Sequence, residues 1–378
     1  MTKPPTIFAA LALNLDADML AAAFPLLADG SVGALEWSFD ALSGANTPVW
    51  FTELLHAFSK EQRLIGHGVF FSLLSARWTT EQQQWLQRLN QLARQFSFNH
   101  VTEHFGFFTG QNFHSGAPLP VPYTAATLRI GQDRLCRISE ACSCPVGLEN
   151  LAFAYSLEEV KRHGEFLDKL LTPVNGFLIL DLHNLYCQLH NFSISYEELI
   201  ALYPLEEVRE IHISGGSWAD SSLLPDKKIR RDTHDDAVPD EVFSLLKATM
   251  PRCPHLKYVV LEQLGNGLQT EHSQTRFRQD FLRMQKLVAQ QNQESRPTDY
   301  HFLPRQPVVS GPVEEDVRLY AQQQQLSHIL ETAHSYEEAH QRLLLSSLAQ
   351  SEWQIEQWAP YMLETALGIA QKWQLKPS

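Results

Sequence analysis

The sequence predicts an α/β fold: a (β/α)8 TIM barrel followed by a small all-helical module. Three observations carry that expectation. Eight short apolar runs recur along the chain, at 6–15, 33–39, 64–70, 98–105, 144–150, 176–182, 208–214 and 256–262. They are apolar on both faces, as buried parallel strands should be. Amphipathic helical segments separate them, which favours crossover units over hairpins. Seven segments also end in side chains that bind metals. They carry His67, His104, Glu149, Asp181 with Asn184, His212, Asp232 with His234, and Glu262. Ligands at successive strand ends meet at one place only if the strands close into a cylinder, whose C-terminal ends share one face. An open doubly wound sheet would gather ligands at a single switch point instead.

The helical elements follow from caps and spacing. WTTEQQQWLQRLNQLARQF opens with a Thr cap and carries Trp85, Leu86, Leu89 and Leu92 on one face. SLEEVKRHGEFLDKLL repeats the start signal with Ser156 and Glu159. SYEELIALYP and PDEVFSLLKATM predict two further helices, and RFRQDFLRMQKLVAQQ ends the alternating pattern. Residues 293–313 are polar and Pro-rich and read as a linker. The expected division is therefore a barrel over 1–292, a linker over 293–313 and helices over 314–378. Those helices are either an appendage packed on the barrel or a module that binds a partner or peptide.

Composition narrows the function. Apolar residues make up 44% of the 378, enough for a large core, and the formal charge is −13. An acidic surface repels phosphate backbones, so nucleic acid is not expected as a partner. The one compact basic stretch, Lys227, Lys228, Arg230 and Arg231, lies between acids and reads as a solvated loop; an acidic peptide would be its other use. Five cysteines without framework spacing point to a reducing compartment. The N-terminal run is broken by Asn14 and Asp16 and lacks a basic start, so it reads as a strand and not an export signal. No membrane span is expected, and the expected location is cytoplasmic.

The candidate ligands form a set of imidazoles and carboxylates, which suits iron, zinc or manganese; the weight of oxygen donors tilts it toward iron or manganese. Singly, each residue has a bland explanation, such as a satisfied core histidine or a carboxylate paired with a donor. Jointly, Glu149, Asp181 and Glu262 are acids at the ends of apolar runs, and burying them without a cation is costly. Asp232 and His234 lie two apart, so an extended loop turns both to one side. Glu103 could orient His104, and Glu36 could orient a ligand from behind. His183 is either a ligand or a donor to one. His56, His114, His163, His255 and His272 read as surface residues.

In order along the chain, GHGVFFSL, TEHFGFFTG, GLENLAF, LDLHNLY, IHISGG, DTHDDAVPDEVF and LEQ resemble the DUF692 (UPF0276) family, the multinuclear non-haem iron-dependent oxidative enzymes. The resemblance spans roughly 5–290 and leaves out the C-terminal helices. It implies a TIM barrel related to xylose isomerase and endonuclease IV, holding two or three irons, Fe(II) or Fe(III), with O2 as co-substrate. It implies post-translational modification of a ribosomally synthesised precursor peptide, usually at cysteine, and in many members a separate partner protein that binds the peptide. On this chain it implies His67, His104 and Glu149 around one iron, and Asp181, Asn184 and His212 around another. Asp232, His234 and Glu262 would complete the cluster, with Glu149 as a bridge. The chain departs from the family pattern at His183, where Asn is usual, at Asp236 in HDDAV, and at Gln263–Leu264 after the last Glu. The alternative function is a zinc- or manganese-dependent hydrolase or isomerase acting on a small phosphorylated or sugar substrate.

Overall fold

The computed structural model describes residues 7–41, 47–108, 118–293, 302, 309 and 311–373. Eight parallel strands close into a barrel: β1 (Phe8–Leu13), β2 (Ala34–Ser38), β3 (Leu64–His67), β4 (His100–His104), β5 (Val146–Glu149), β6 (Phe177–Asp181), β7 (Val208–Ile213) and β8 (Tyr258–Leu261). Each strand pairs with its sequence neighbour, and β8 returns to β1 through Phe8 opposite Tyr258 and Leu11 opposite Leu261. All eight expected strands are present.

Around them run α1 (Ala17–Ala28), α2 (Val49–Lys60), α3 (Thr80–Gln95), α4 (Ala125–Cys142), α5 (Leu157–Leu171), α6 (Leu182–Phe192), α7 (Tyr196–Ile200), α8 (Asp240–Thr249) and α9 (Glu271–Gln291). Capping residues fix where they start. Thr79 accepts from the Gln82 amide, and Gln82 Oε1 accepts from the Thr79 amide, each at 3.2 Å. The buried Gln82 amide also donates to the Phe71 and Ser72 carbonyls, which ties α3 to the loop after β3. Trp85, Leu89 and Leu92 are buried beneath it, each contributing about 1.5–3 kcal/mol. The helix expected over SYEELIALYP is short: only Tyr196–Ile200 is helical, because Pro204 and the turn before it stop the run.

Strand alternation sorts the two faces. Leu11, Leu13, Leu35, Trp37, Val101, Leu148 and Leu178 pack outward into the large core beneath the helices. Ala10, Ala12, Ala34, Ile65, Tyr258 and Val260 form a separate small cluster in the barrel interior. Three of these six are alanines, so one side of the interior is shallow. His100 of β4 packs edge-on against Tyr258 of this cluster, ring centroids 5.4 Å apart.

Beyond the barrel, α10 (Val317–Thr332), α11 (Tyr336–Leu344) and α12 (Pro360–Trp373) pack together on the barrel. Ala76 N donates to Gln323 Oε1 at 2.9 Å, and Gln323 Nε2 donates to the Leu74 carbonyl at 2.8 Å. The Tyr155 and Trp358 rings stack at 3.7 Å, and Ala359 N donates to the Tyr155 carbonyl. Ser221 Oγ donates to Glu364 at 2.7 Å. Most of these anchors follow strand C-termini, so the helices stand beside the face where strand-end side chains gather. Most of the stretch expected to be a linker lies outside the described residues.

Two surface expectations need correction. Lys228–Arg230 is not a solvated loop: it pairs antiparallel with Trp218–Asp220, with Ile229 and Arg230 buried. Lys227 Nζ donates to the Asn191 carbonyl at 2.9 Å and lies over the Tyr361 ring. His163 is not a surface residue either; α5 turns it inward against Phe105, within 3.4 Å of Gln188. His56 and His255 are half-buried, His272 is exposed, and His114 lies outside the described residues. Among the described residues no helix is long and apolar enough to cross a membrane.

Candidate metal centre

Six strands bring their last inward-facing residues to one level at the C-terminal mouth. His67 ends β3, His104 ends β4, Glu149 ends β5 and Asp181 ends β6. His212 is the last inward residue of β7, and Glu262 follows β8 directly. Register makes neighbours of residues far apart in sequence: His104 is opposite Glu149, and Asp181 is opposite His212. Asn184 stands in the first turn of α6. Its backbone N–H donates to Asp181 Oδ1 at 2.6 Å, so Asp181 both ends a strand and caps a helix. Asp232 and His234 come from the long connection after β7, which the small hairpin folds back to the mouth. His234 takes a left-handed φ of 51°, a costly backbone for a non-glycine residue that turns its ring toward the ring of ligands. Gly215 and Gly216 admit that return: a Cβ would stand 2.1 Å from the Ala237 carbonyl oxygen and 2.2 Å from the Arg231 carbonyl oxygen, respectively.

Spacing separates hydrogen bonds from shared coordination. Glu149 Oε2 lies 3.6 Å from both His67 Nε2 and His104 Nε2, and 4.0 Å from His212 Nδ1. Those separations are too long for hydrogen bonds. They are close to the separation of about 3.4 Å expected between two ligands each about 2.1 Å from one tetrahedral ion. Glu262 Oε2 repeats the pattern, 3.3 Å from His212 Nδ1 and 3.7 Å from His234 Nδ1. Glu149 Oε2, Asp181 Oδ2 and Asn184 Oδ1 are buried and accept no hydrogen bond. Among the described residues, three sets of donor atoms lie within 4.8 Å of one another: His67, His104 and Glu149; Glu149, Asp181, His212 and Glu262; and, behind the ring, Glu36, Glu210 and His212. The first two share Glu149. No described cysteine joins them.

The electrostatics fit a cation. Burial pushes the imidazoles of His67 and His104 down to about 3 and about 4, so both are neutral with free lone pairs at ordinary pH. Burial, with Asp232 nearby, pushes Asp181 up to about 7, and burial holds Glu149 well above the usual carboxylate range. Burial would also raise Glu262, but the His212 charge outweighs it and holds Glu262 low. His212 is held protonated, because Glu36 and Glu262 outweigh its burial. A metal would displace that proton and take its place among the acids.

The nine residues expected at the site therefore lie together, but their grouping differs from the resemblance's. Glu262 sits with Asp181 and His212, not with Asp232 and His234 alone. Asn184 donates from Nδ2 to Glu149 Oε1 at 3.2 Å and to the Asn150 carbonyl at 2.8 Å, leaving its oxygen for a cation. Glu103 does not orient the His104 ring: its only bond there accepts the His104 backbone N–H, and its other oxygen is buried beside Gly68. Asp236 is exposed and caps its neighbour's amide. Glu36 lies behind the ring, 3.2 Å from His212 Nε2.

Sequence reading missed several supporting residues. Thr102 Oγ1 holds His67 Nδ1 at 2.8 Å, which turns Nε2 toward Glu149. Glu210 accepts from His212 Nε2 at 2.7 Å, which leaves Nδ1 facing Glu262. Asn150 and the Asp181 backbone exchange two hydrogen bonds. Thr102 and Glu210 stand two residues before His104 and His212, so strand alternation alone would have found them.

Residues 44–272 match the family of RiPP precursor modification enzymes MbnB/TglH/ChrH. A UPF0276 protein of Caulobacter vibrioides is 28% identical over 187 residues, 49% of this chain and 64% of that protein. Another, from Acaryochloris marina, is 26% identical over 224 residues, 58% and 76% of the two chains. The chain thus spans less than two thirds of the Caulobacter relative's length, and the C-terminal helices lie outside the family match. Among solved structures, an L-ribulose 3-epimerase is 11% identical with a TM-score of 0.49, over 78% of this chain and 97% of that one. The endonuclease IV of Thermus thermophilus is 14% identical with a TM-score of 0.46, over 75% and 100%.

Proposed function

The chain belongs to the MbnB/TglH/ChrH family of RiPP precursor modification enzymes, and on that premise we propose that it is an O2-dependent, multinuclear non-haem iron oxidase that modifies a ribosomally made peptide, with cysteine as the leading target. One observation carries the reading: Glu149 Oε2 is buried, accepts no hydrogen bond, and stands 3.6 Å from two neutral imidazole nitrogens. A buried carboxylate so placed calls for a cation.

His67, His104 and Glu149 would hold one ion, and Glu149, Asp181, His212 and Glu262 a second. Asn184, Asp232 and His234 would hold a third. When bound, iron supplies the oxidation chemistry with O2 that no side chain here offers. The protein's residues do the rest. Thr102 and Glu210 fix which nitrogen of His67 and of His212 faces the site. The carboxylates Glu149 and Glu262 offset the positive charge. The side chains of His104, Asp232 and His234 are 20–28% exposed, against 3% or less for His67 and His212, so substrate enters on the His104–Asp232 side. The peptide and any partner protein would dock on that rim, next to α10–α12.

The test uses protein purified and loaded with Fe(II) anaerobically, then mixed with O2 and a cysteine-containing precursor peptide. The expected result is O2 uptake with a mass change confined to the peptide. Colourless zinc-loaded protein that hydrolyses phosphate esters and consumes no O2 would move the site to the hydrolase reading.

A further inference from the structure

We propose that His183 and Arg230 are positioning residues that fix Asp232 and, through it, the outermost metal position. The proposal rests on the metal reading of the site and goes beyond it, because it assigns the one histidine near the ring that none of the three proposed ligand sets includes.

His183 is fully buried at the start of α6, two residues after Asp181. Both of its nitrogens are in use. Arg230 Nε donates to His183 Nε2 at 3.1 Å. A guanidinium only donates, so Nε2 must accept and the proton sits on Nδ1. Nδ1 in turn donates to Asp232 Oδ1 at 3.0 Å. No lone pair of His183 is left for a cation, so it is not a ligand. His234 Nε2 also approaches Asp232 Oδ1, at 2.8 Å, which leaves Oδ2 as the uncommitted carboxylate oxygen.

Asp232 needs such a holder. The other acids of the ring end a strand, as Glu149 and Asp181 do, or directly follow one, as Glu262 does, whereas Asp232 rides on a loop with its side chain 28% exposed. Arg230 supplies the anchorage. Its backbone exchanges two hydrogen bonds with the Asn191 side chain at the end of α6, at 2.9 and 3.0 Å. Its guanidinium lies 5.4 Å from the Tyr186 ring and 5.1 Å from the Trp218 ring. Gly216 leaves the imidazole its place: a Cβ there would stand 2.8 Å from His183 Cε1. The line Arg230, His183, Asp232 thus ties a loop carboxylate to the body of α6, as outer partners commonly do for ligands.

The test is an anaerobic Fe(II) titration of the full chain against a chelator, with iron counted per chain. In H183A and H183Q the most weakly held ion should bind about 10–100-fold more weakly, and one iron per chain should be lost. H183N should keep it, because the Asn Nδ2 stands where Nδ1 stood. In R230M, nitrogen NMR should show the His183 proton spread over both ring nitrogens instead of fixed on Nδ1. Equal iron counts in all His183 variants would overturn the proposal. So would equal losses in H183A and H183N, which would make His183 a ligand or a packing residue. A wild-type chain that binds no iron would overturn the proposed function as well, which separates the two failures.

Discussion

Two levels of one barrel interior hold the same residue types and use them differently. At the lower level, His100 Nε2 donates to Glu210 at 2.5 Å, while Arg209 lies against His100 Nδ1 and the Asn99 side chain. Each of these polar groups is matched at hydrogen-bond distance. At the upper level, His67 and His104 face Glu149 at 3.6 Å, and the carboxylate oxygen between them accepts nothing. The lower level is a closed ion-pair network. On the proposed function, the upper level has the spacing of ligands that share an ion. About one ångström of separation, set by strand register and by Thr102 and Glu210, distinguishes a structural histidine from a ligand. His212 belongs to both levels, with Nε2 on Glu210 below and Nδ1 toward Glu262 above.

Perturbing the two levels should give opposite signatures. Glu210→Ala strips the lower network of its acid and should cost roughly 3–5 kcal/mol of stability, read by urea unfolding, with or without metal. Glu149→Ala removes a buried carboxylate whose Oε2 has no hydrogen-bond partner and whose Oε1 has one, from Asn184, so the metal-free fold should lose far less stability than in Glu210→Ala, but iron affinity should fall at least about 100-fold, a coupling of roughly 2.7 kcal/mol. If Glu149→Ala destabilised metal-free protein as much as Glu210→Ala does, the two levels would be alike and the distinction would fail.

Acid should expose the buried imidazoles of both levels. Burial lowers His67 to about 3 and His100 and His104 to about 4, against 6.5 when unfolded. The unfolded chain therefore takes up protons first. Stability from these groups is whole above pH 6.5 and drains away as pH falls toward 3–4. Thermal unfolding of metal-free protein across that range checks it, and a flat profile would contradict it. Bound metal should hold the upper pair against acid until it dissociates, and leave His100 unaffected. The smallest effect is expected from Thr102→Val, which leaves ring packing intact but frees the His67 tautomer. Iron affinity should drop about 10-fold, with unchanged stability of the metal-free chain.

Much of this was legible in the sequence, for physical reasons. Fully buried strands must be apolar throughout, so a carboxylate or imidazole at the end of one stands out, and all eight strands and the gathering of nine side chains could be anticipated. The grouping of those side chains could not. It depends on the register between β7 and β8, where Leu261 stands opposite Ile213, which puts Glu262 beside His212 as well as near His234. The burial of Arg230 was hidden because a basic run looks the same whether it is solvated or folded back as a hairpin over an aromatic pair. His163 was within reach: it stands three residues after Val160 and four before Leu167, on the buried stripe of α5. Thr102 and Glu210 were within reach too, since they share a strand face with the ligands two positions on.

X-ray absorption of anaerobically iron-loaded wild-type protein, with metal counted per chain, decides whether Glu149 joins neighbouring ions at the barrel mouth. Two or three irons per chain are expected, with nitrogen and oxygen neighbours only and an iron–iron vector that disappears in Glu149→Ala. A single isolated iron, sulfur ligation, or a metal count unchanged by Glu149→Ala would contradict that expectation.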